Sequence, residues 1–289
     1  MLMLNRASFA DYVKSLPFYV LPHHFLSRIV FKLTRVRSKK WVPVVIRHFA
    51  KAFQVNLSEA EQPDPQAYET FNVFFTRPLK KGLRPIVQGE KYIASPVDGA
   101  ISQCGAITQG RIIQAKGQDY TVQELLGGLV ETAAPFINGQ FATIYLSPRD
   151  YHRIHMPYDG RLCEQIYIPG RLFSVAGFTA RAIPRVFARN ERVVALFDTA
   201  FGKMAMVLVG AMNVAAIETV WAGLITPPHR HAIKRDIYDQ IKLEKGQEMG
   251  RFNMGSTVIL LFESANLQWS EGCAPDIPVR LGELLAEFA

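Results

Sequence analysis

The pattern of apolar and polar positions divides the chain in two. In the N-terminal segment apolar residues recur with helical period. Phe25, Leu26, Ile29, Val30 and Leu33 fall on one helix face, with Arg28, Lys32 and Arg35 off that stripe. Val42, Val45, Ile46, Phe49 and Phe53 repeat the pattern behind Trp41, and "RVRSKKW" joins the two. A polar, Pro-containing stretch, "NLSEAEQPDPQAYET", follows. From about Lys91 short apolar runs alternate with Gly, Pro and Asp: "GRIIQAKG", "QFATIYLS", "GRLCEQIYIPG", "ERVVALFDT", "STVILLFE". These predict antiparallel strands rather than a βαβ series. Thr121 and Glu124 have capping-box spacing and predict a short helix. A second helix is expected over Leu281 to Phe288. The expected fold class is α+β, predominantly antiparallel β, a sandwich or hybrid-barrel-like body with N-terminal amphipathic helices. The expected division is residues 1–60 as a basic helical region and 61–289 as a β-rich domain.

Charge sharpens the reading of the first region. Residues 1–51 hold ten Lys or Arg and one acid, Asp11, hence +9. The whole chain is +8, so residues 52–289 carry −1. A basic arm suits nucleic acid or an anionic membrane. Its large apolar face with basic flanks and interfacial aromatics favours a helix lying in a membrane surface, and the arm is too apolar for nucleic acid. The same pattern also suits amphipathic helices packed on the body. The longest uncharged apolar run, Met204 to Ile217, has 14 residues, short of the roughly 20 a spanning helix needs. It reads as one or two buried strands around Gly210. Met1-Leu-Met-Leu4 lacks a basic region before it, so a secretory signal is not expected and the cytoplasmic side is. Three separated cysteines with no CxxC pair suggest neither a disulfide framework nor a zinc knuckle. No Walker or GxGxxG motif supports nucleotide binding.

Candidate chemistry gathers in three places. "SPRDYHRIHMPYDG" holds His152 and His155 in a His-x-x-His spacing, which puts both rings on one face of a helical turn or on opposite faces of a strand. Metal binding there wants further ligands, and none is evident nearby, so no metal is expected. "SPVDGAI" places Asp98 in what alone reads as a turn. "GST" places Ser256 at the opening of the apolar run Thr257 to Phe262. Together they supply an acid to orient, a base to take a proton and a hydroxyl to attack. The serine has no G-x-S-x-G elbow and no following helix, which argues against an ordinary hydrolase.

"FNMGSTVILLFE", with "EMGRF" before it, resembles the cleavage region of the phosphatidylserine decarboxylases. "FFTRPLKKGLRPI", "SPVDGAI", "YLSPRDYHRIHMPYDG", "VGAMNVAAIETVW" and "KGQEMGRFNMGSTVI" resemble blocks of that family in its order, over about residues 71–263. The family tetrapeptide is Leu-Gly-Ser-Thr; Met254 stands at its first position here, a same-volume apolar swap. The resemblance implies a proenzyme of the bacterial, pyruvoyl-dependent type. Ser256 would attack the carbonyl of Gly255, which lacks a Cβ and leaves that carbonyl open. The resulting ester would undergo β-elimination, and hydrolysis of the dehydroalanine would leave a pyruvoyl group at 256. The products would be chains 1–255 and 256–289.

By the same resemblance Asp98 and His155 serve as acid and base for Ser256, with Asp98 fixing the tautomer of His155. His152 would lie at the substrate head group. Phosphatidylserine would form a Schiff base with the pyruvoyl group, lose CO2 and leave as phosphatidylethanolamine. The resemblance also implies a homodimer and a peripheral protein at the cytoplasmic face of the cell (inner) membrane. The alternatives weighed are a Ser/His/Asp lipid hydrolase with an uncleaved chain and a non-enzymatic carrier module. "SPVDGAI" and "KGQEMG" share the glycine-turn style of biotinyl-like domains, but no modified-lysine hairpin accompanies them.

Overall fold

A computed structural model describes residues 7–115, 117–212, 216–227, 229, 231–254 and 257–289. The peptide Gly255-Ser256 therefore lies outside the described residues. The described residues are 24% helix and 33% strand, mostly antiparallel, with helices at the N-terminal end and no closed barrel among them.

The body is organised on one large antiparallel sheet. Across it run Lys234–Ile237, Gly160–Ile168, Arg192–Thr199, Gly202–Val209, Thr257–Phe262, Gln140–Tyr145, Gly99–Ala106 and Pro278–Val279. Thr257–Phe262 is central. It pairs with Gly202–Val209 on one edge and Gln140–Tyr145 on the other, through all six residues. Val258 and Leu260 join the hydrophobic cluster on one side, and Ile259 and Leu261 the cluster on the other. Both faces are covered, which explains an unbroken apolar run in place of polar–apolar alternation. Gly99 opens its strand under close approach: a Cβ there would lie 2.5 Å from the carbonyl oxygen of Tyr145.

A second sheet orders Gly223–Leu224, Ile217–Thr219, Glu248–Phe252 and Arg153–His155. It places the histidine segment beside the strand that leads into Gly255. Gly250 permits this pairing, since a Cβ would sit 2.4 Å from the Glu218 carbonyl oxygen. A third sheet sandwiches Leu284–Phe288 between Tyr92–Ala94 and Leu267–Trp269.

That last strand corrects the helix expected over Leu281 to Phe288. Its leucines, alanine and glutamates are good helix formers, but propensity is a weak prior. Backbone pairing on both edges outweighs it here. The helix expected after Thr121 forms as Val122–Leu125 with the full capping box. The run around Gly210 gives Gly202–Val209 and Ile217–Thr219, with residues 213–215 outside the described set.

The N-terminal helices Phe9–Ser15, Pro17–Val20, His23–Leu33 and Trp41–Phe53 lie on this body. Trp41–Phe53 buries Val42, Ile46 and Ala50 against Phe71, Phe74 and Phe75. His23–Leu33 is inverted: it buries His23 and Ser27, while Phe25, Ile29 and Leu33 are 55%, 40% and 64% exposed. Polar contacts fasten it. His24 Nε2 meets the Gly170 carbonyl at 2.9 Å, and the Leu172 N–H donates to His23 Nδ1 at 3.3 Å. Arg181 pairs with the buried Asp11 and holds its carboxyl down at about 2. No helix among the described residues is long and apolar enough to cross a membrane.

Candidate active site

His155 ends the strand Arg153–His155 and is held by its neighbours on both ring nitrogens. Its Nδ1 lies 2.7 Å from the Gly246 carbonyl oxygen. A carbonyl only accepts, so Nδ1 carries the proton and Nε2 keeps its lone pair. Nε2 lies 3.1 Å from the Tyr151 hydroxyl. Burial pushes the imidazole below its usual range, so it is a neutral base at physiological pH.

The geometry differs from expectation at Asp98. The backbone of Gly246, rather than Asp98, sets the tautomer of His155. Asp98 instead accepts from Arg84, with Nε at 3.0 Å from Oδ1 and Nη2 at 2.7 Å from Oδ2. Arg84 also reaches Glu59 at 2.7 Å. The Asp98 side-chain bonds, with those of Glu59, hold the guanidinium firmly protonated. Asp98 Oδ1 also accepts the Leu281 N–H at 2.8 Å, a link from the start of Gly99–Ala106 to the C-terminal segment. Its charge still favours protonation of His155, as one of the smaller influences on that ring.

His152 sits just before the strand and is completely buried. Its Nδ1 faces the Asp150 carbonyl oxygen at 2.8 Å, and the ring packs on Phe75 with centroids 4.1 Å apart. Nε2 is therefore a buried lone pair, and it has no partner among the described residues. Burial, helped by the nearby Arg77 charge, pushes this histidine down to about 3. The two histidines thus have separate partners and form no common ligand pair. Among the described residues one trio, His24, Glu191 and His229, brings a possible metal-ligand atom from each within 4.8 Å. It belongs to the junction of arm and body and includes neither His152 nor His155.

Position 256 is approached from both sides by fixed structure. Upstream, the Phe252 N–H donates to the His152 carbonyl at 3.0 Å, and the Asn253 N–H to that of Ala216 at 2.9 Å. Downstream, Thr257 pairs with Tyr145 and Val209. Tyr145 lines two cavities. One, of about 320 Å³, is apolar and bounded by Phe49, Phe53, Phe75 and Met254. The other, of about 580 Å³, is polar and bounded by Arg77, Arg84, Asp98, Asp150 and Tyr151. The hydroxyls of Thr257 and Ser147 are buried without partners among the described residues, as is His152 Nε2.

Sequence reading missed Gly246, Tyr151, Arg77 and Arg84. All four lie inside or beside the quoted blocks, but a backbone acceptor has no side-chain signature. A basic residue in a loop does not declare its burial either.

The family model described as phosphatidylserine decarboxylase matches residues 71–287. A second model, described as PSD, matches residues 13–54. The phosphatidylserine decarboxylase proenzyme of Stutzerimonas stutzeri (strain A1501) is 56% identical over 277 residues, covering 94% of this chain and 93% of the relative. The proenzyme of the same description from Pseudomonas aeruginosa (strain LESB58) is 54% identical over 284 residues, covering 96% and 98%. That from Pseudomonas putida (strain GB-1) is 55% identical over 274 residues, covering 93% and 95%. With the matched blocks, the histidine segment and the central strand after position 256 in one arrangement, the chain belongs to the phosphatidylserine decarboxylase family.

Proposed function

We infer that this chain is a self-cleaving decarboxylase that removes CO2 from phosphatidylserine and leaves phosphatidylethanolamine. The observation that carries the reading is the strand Thr257–Phe262, which follows Gly255-Ser256 directly and is paired on both edges along its whole length. A chain break at 255 would leave residue 256 as a terminus anchored in the centre of the sheet. Pro278–Val279 pairs with Gly99–Ala106 and Leu284–Phe288 with Tyr92–Ala94, which tie the rest of the small piece to the large one. The lipid-hydrolase alternative has no support from the family match.

In this reading His155 Nε2, neutral through burial, takes the proton of the Ser256 hydroxyl as it attacks the Gly255 carbonyl. Gly246 keeps that nitrogen unprotonated, and the Tyr151 hydroxyl beside it gives way to the serine. Asp98 and Arg84 form the floor of the polar cavity, and Asp98 secures the small piece at Leu281. A pyruvoyl group at 256 would supply an electron sink for decarboxylation when formed, and the unpaired hydroxyl of the adjoining Thr257 would be its nearest polar neighbour along the chain. His152 presents a neutral acceptor to the head group. The apolar cavity, walled partly by Phe49 and Phe53 of the arm, takes the start of an acyl chain.

The arm brings the enzyme to its substrate. Fourteen of the 25 exposed large apolar side chains of the described residues fall between positions 9 and 53. Such a patch beside nine net positive charges suits an anionic membrane surface. The same reading holds the protein at the cytoplasmic face of the membrane, as a homodimer; light scattering in detergent tests the latter. The central test is denaturing electrophoresis with intact-mass analysis. Two pieces are expected, the smaller beginning at 256 with a blocked, carbonyl-bearing terminus. Ser256→Ala should give one inactive chain. A single uncleaved wild-type chain that still decarboxylates phosphatidylserine would sink self-processing.

A further inference from the structure

Three arginines of the body are almost fully enclosed, and they differ in one respect. Arg192 donates to the carbonyls of Leu125, Asn190 and Glu124 at 2.6–2.7 Å. Arg84 is saturated by Asp98 and Glu59. Arg77, only 3% exposed, has a single long bond from Nη2 to the Arg149 carbonyl, 3.3 Å, while its Nε and Nη1 have no partner. It forms no ion pair among the described residues, and its guanidinium lies over the Phe74 ring at 5.2 Å. A buried cation with free donors is costly unless something supplies the missing acceptors. Arg77 lines the polar cavity of about 580 Å³ together with Asp98 and Tyr151, and its charge is felt at His152.

We propose that Arg77 is the anion-binding residue of this cavity and that it holds the phosphodiester of the substrate head group. The proposal rests on the decarboxylase reading above. The substrate carries two anions, the phosphodiester and the serine carboxylate, and the chemistry distinguishes them. The carboxylate loses its charge as CO2 departs. A guanidinium bound to it would stabilise the ground state more than the transition state and slow the reaction. The phosphodiester keeps its charge throughout. Binding there is equal in ground and transition states, so it lowers KM and leaves kcat alone. Among the described residues four carboxylates line the cavity: Asp98 and Glu59 are committed to Arg84, Asp150 accepts the Ser147 N–H at 2.7 Å, and Asp276 is the fourth; Arg149 and Arg280 line it as well, but neither is enclosed as Arg77 is.

The test uses the full-length chain with Arg77→Gln and Arg77→Lys. Intact mass and melting temperature report maturation and folding. Steady-state kinetics on short-chain phosphatidylserine report KM and kcat. Calorimetry reports binding of glycerophosphoethanolamine, a phosphodiester without a carboxylate, and of L-serine, a carboxylate without a phosphate. For Arg77→Gln we expect normal maturation, KM raised roughly 10- to 100-fold and kcat within about threefold. Glycerophosphoethanolamine binding should weaken by a similar factor and L-serine binding should not change. Arg77→Lys should recover part of the loss, since a point charge replaces a planar fork. An unchanged KM overturns the proposal. So does a loss of L-serine binding with glycerophosphoethanolamine binding intact, which would put Arg77 on the carboxylate. If Arg77→Gln fails to mature, wild-type phosphodiester affinity in Arg77→Lys overturns it. A mature wild-type chain that turns over no phosphatidylserine fails the decarboxylase reading instead, and the calorimetric comparison still reports on Arg77.

Discussion

The helix His23–Leu33 and the strand Thr257–Phe262 are built from similar residues and use them in opposite ways. The strand has neighbours on both edges and apolar clusters on both faces, so every side chain in it is buried. The helix sets His23 and Ser27 against the body and leaves Phe25, Ile29 and Leu33 of its apolar stripe exposed, with Leu26 and Val30 half-buried. Its neighbour Trp41–Phe53 is intermediate: it docks through Val42 and Ile46 yet leaves Trp41 71% exposed. Water alone would select the reverse orientation for His23–Leu33, since burying the stripe is the favourable choice. The difference teaches that the body covers its own apolar residues, whereas the arm leaves part of its stripe uncovered, which in the proposed reading an anionic membrane covers.

The sharpest break between the regions should come from His155→Ala. Losing the base should slow cleavage by about 10²- to 10⁴-fold, read from the gel time course. Sedimentation with anionic vesicles should not change; processing at the wild-type rate would remove His155 from the reading. Next, Leu260→Ala in the central strand should cost about 2–5 kcal/mol in denaturant unfolding. The triple change Phe25→Ala, Ile29→Ala, Leu33→Ala should leave that stability nearly intact while weakening vesicle partitioning by about 10²-fold. Equal destabilisation by both would erase the contrast.

Acid should act on the body through His152. Its folded pKa, about 3, lies below the usual 6.5, so the folded state binds fewer protons than the unfolded chain. Stability is therefore full above 6.5 and falls as pH drops from there towards 3. The loss should be about 3 kcal/mol between pH 6.5 and 4. His155, His23 and His24 are lowered in the same direction by burial and add to it. His152→Gln should flatten the slope in urea titrations at stepped pH. The smallest effect belongs to the arm: Lys32→Gln should cost about 1 kcal/mol of binding to anionic vesicles and nothing on neutral ones. High salt should abolish the difference.

Much of this molecule was legible before its structure. The antiparallel strands announced themselves as short apolar runs between turn residues. The Thr121–Glu124 cap was readable because its partners are three residues apart. The matched blocks named the family and brought His152, His155 and the Gly255-Ser256 peptide to notice. Each of these signals is local, or is carried by side-chain identity. The misreading of Leu281 to Phe288 as a helix has a complementary cause. Residues of high helix propensity became a strand because Tyr92–Ala94 and Leu267–Trp269 offer backbone partners that no local pattern encodes.

The site divides in the same way. Sequence alone determined which residue types were available for the chemistry and that one helical stripe was apolar. Only the tertiary structure decided that a Gly246 carbonyl orients His155, that Asp98 is spent on Arg84 and Leu281, and that Arg77 is buried with no ion-pair partner among the described residues. It also decided which way the stripe of His23–Leu33 faces. Side-chain identity is written in the chain, but burial, tautomer and the partner of a charge depend on what distant segments place beside it.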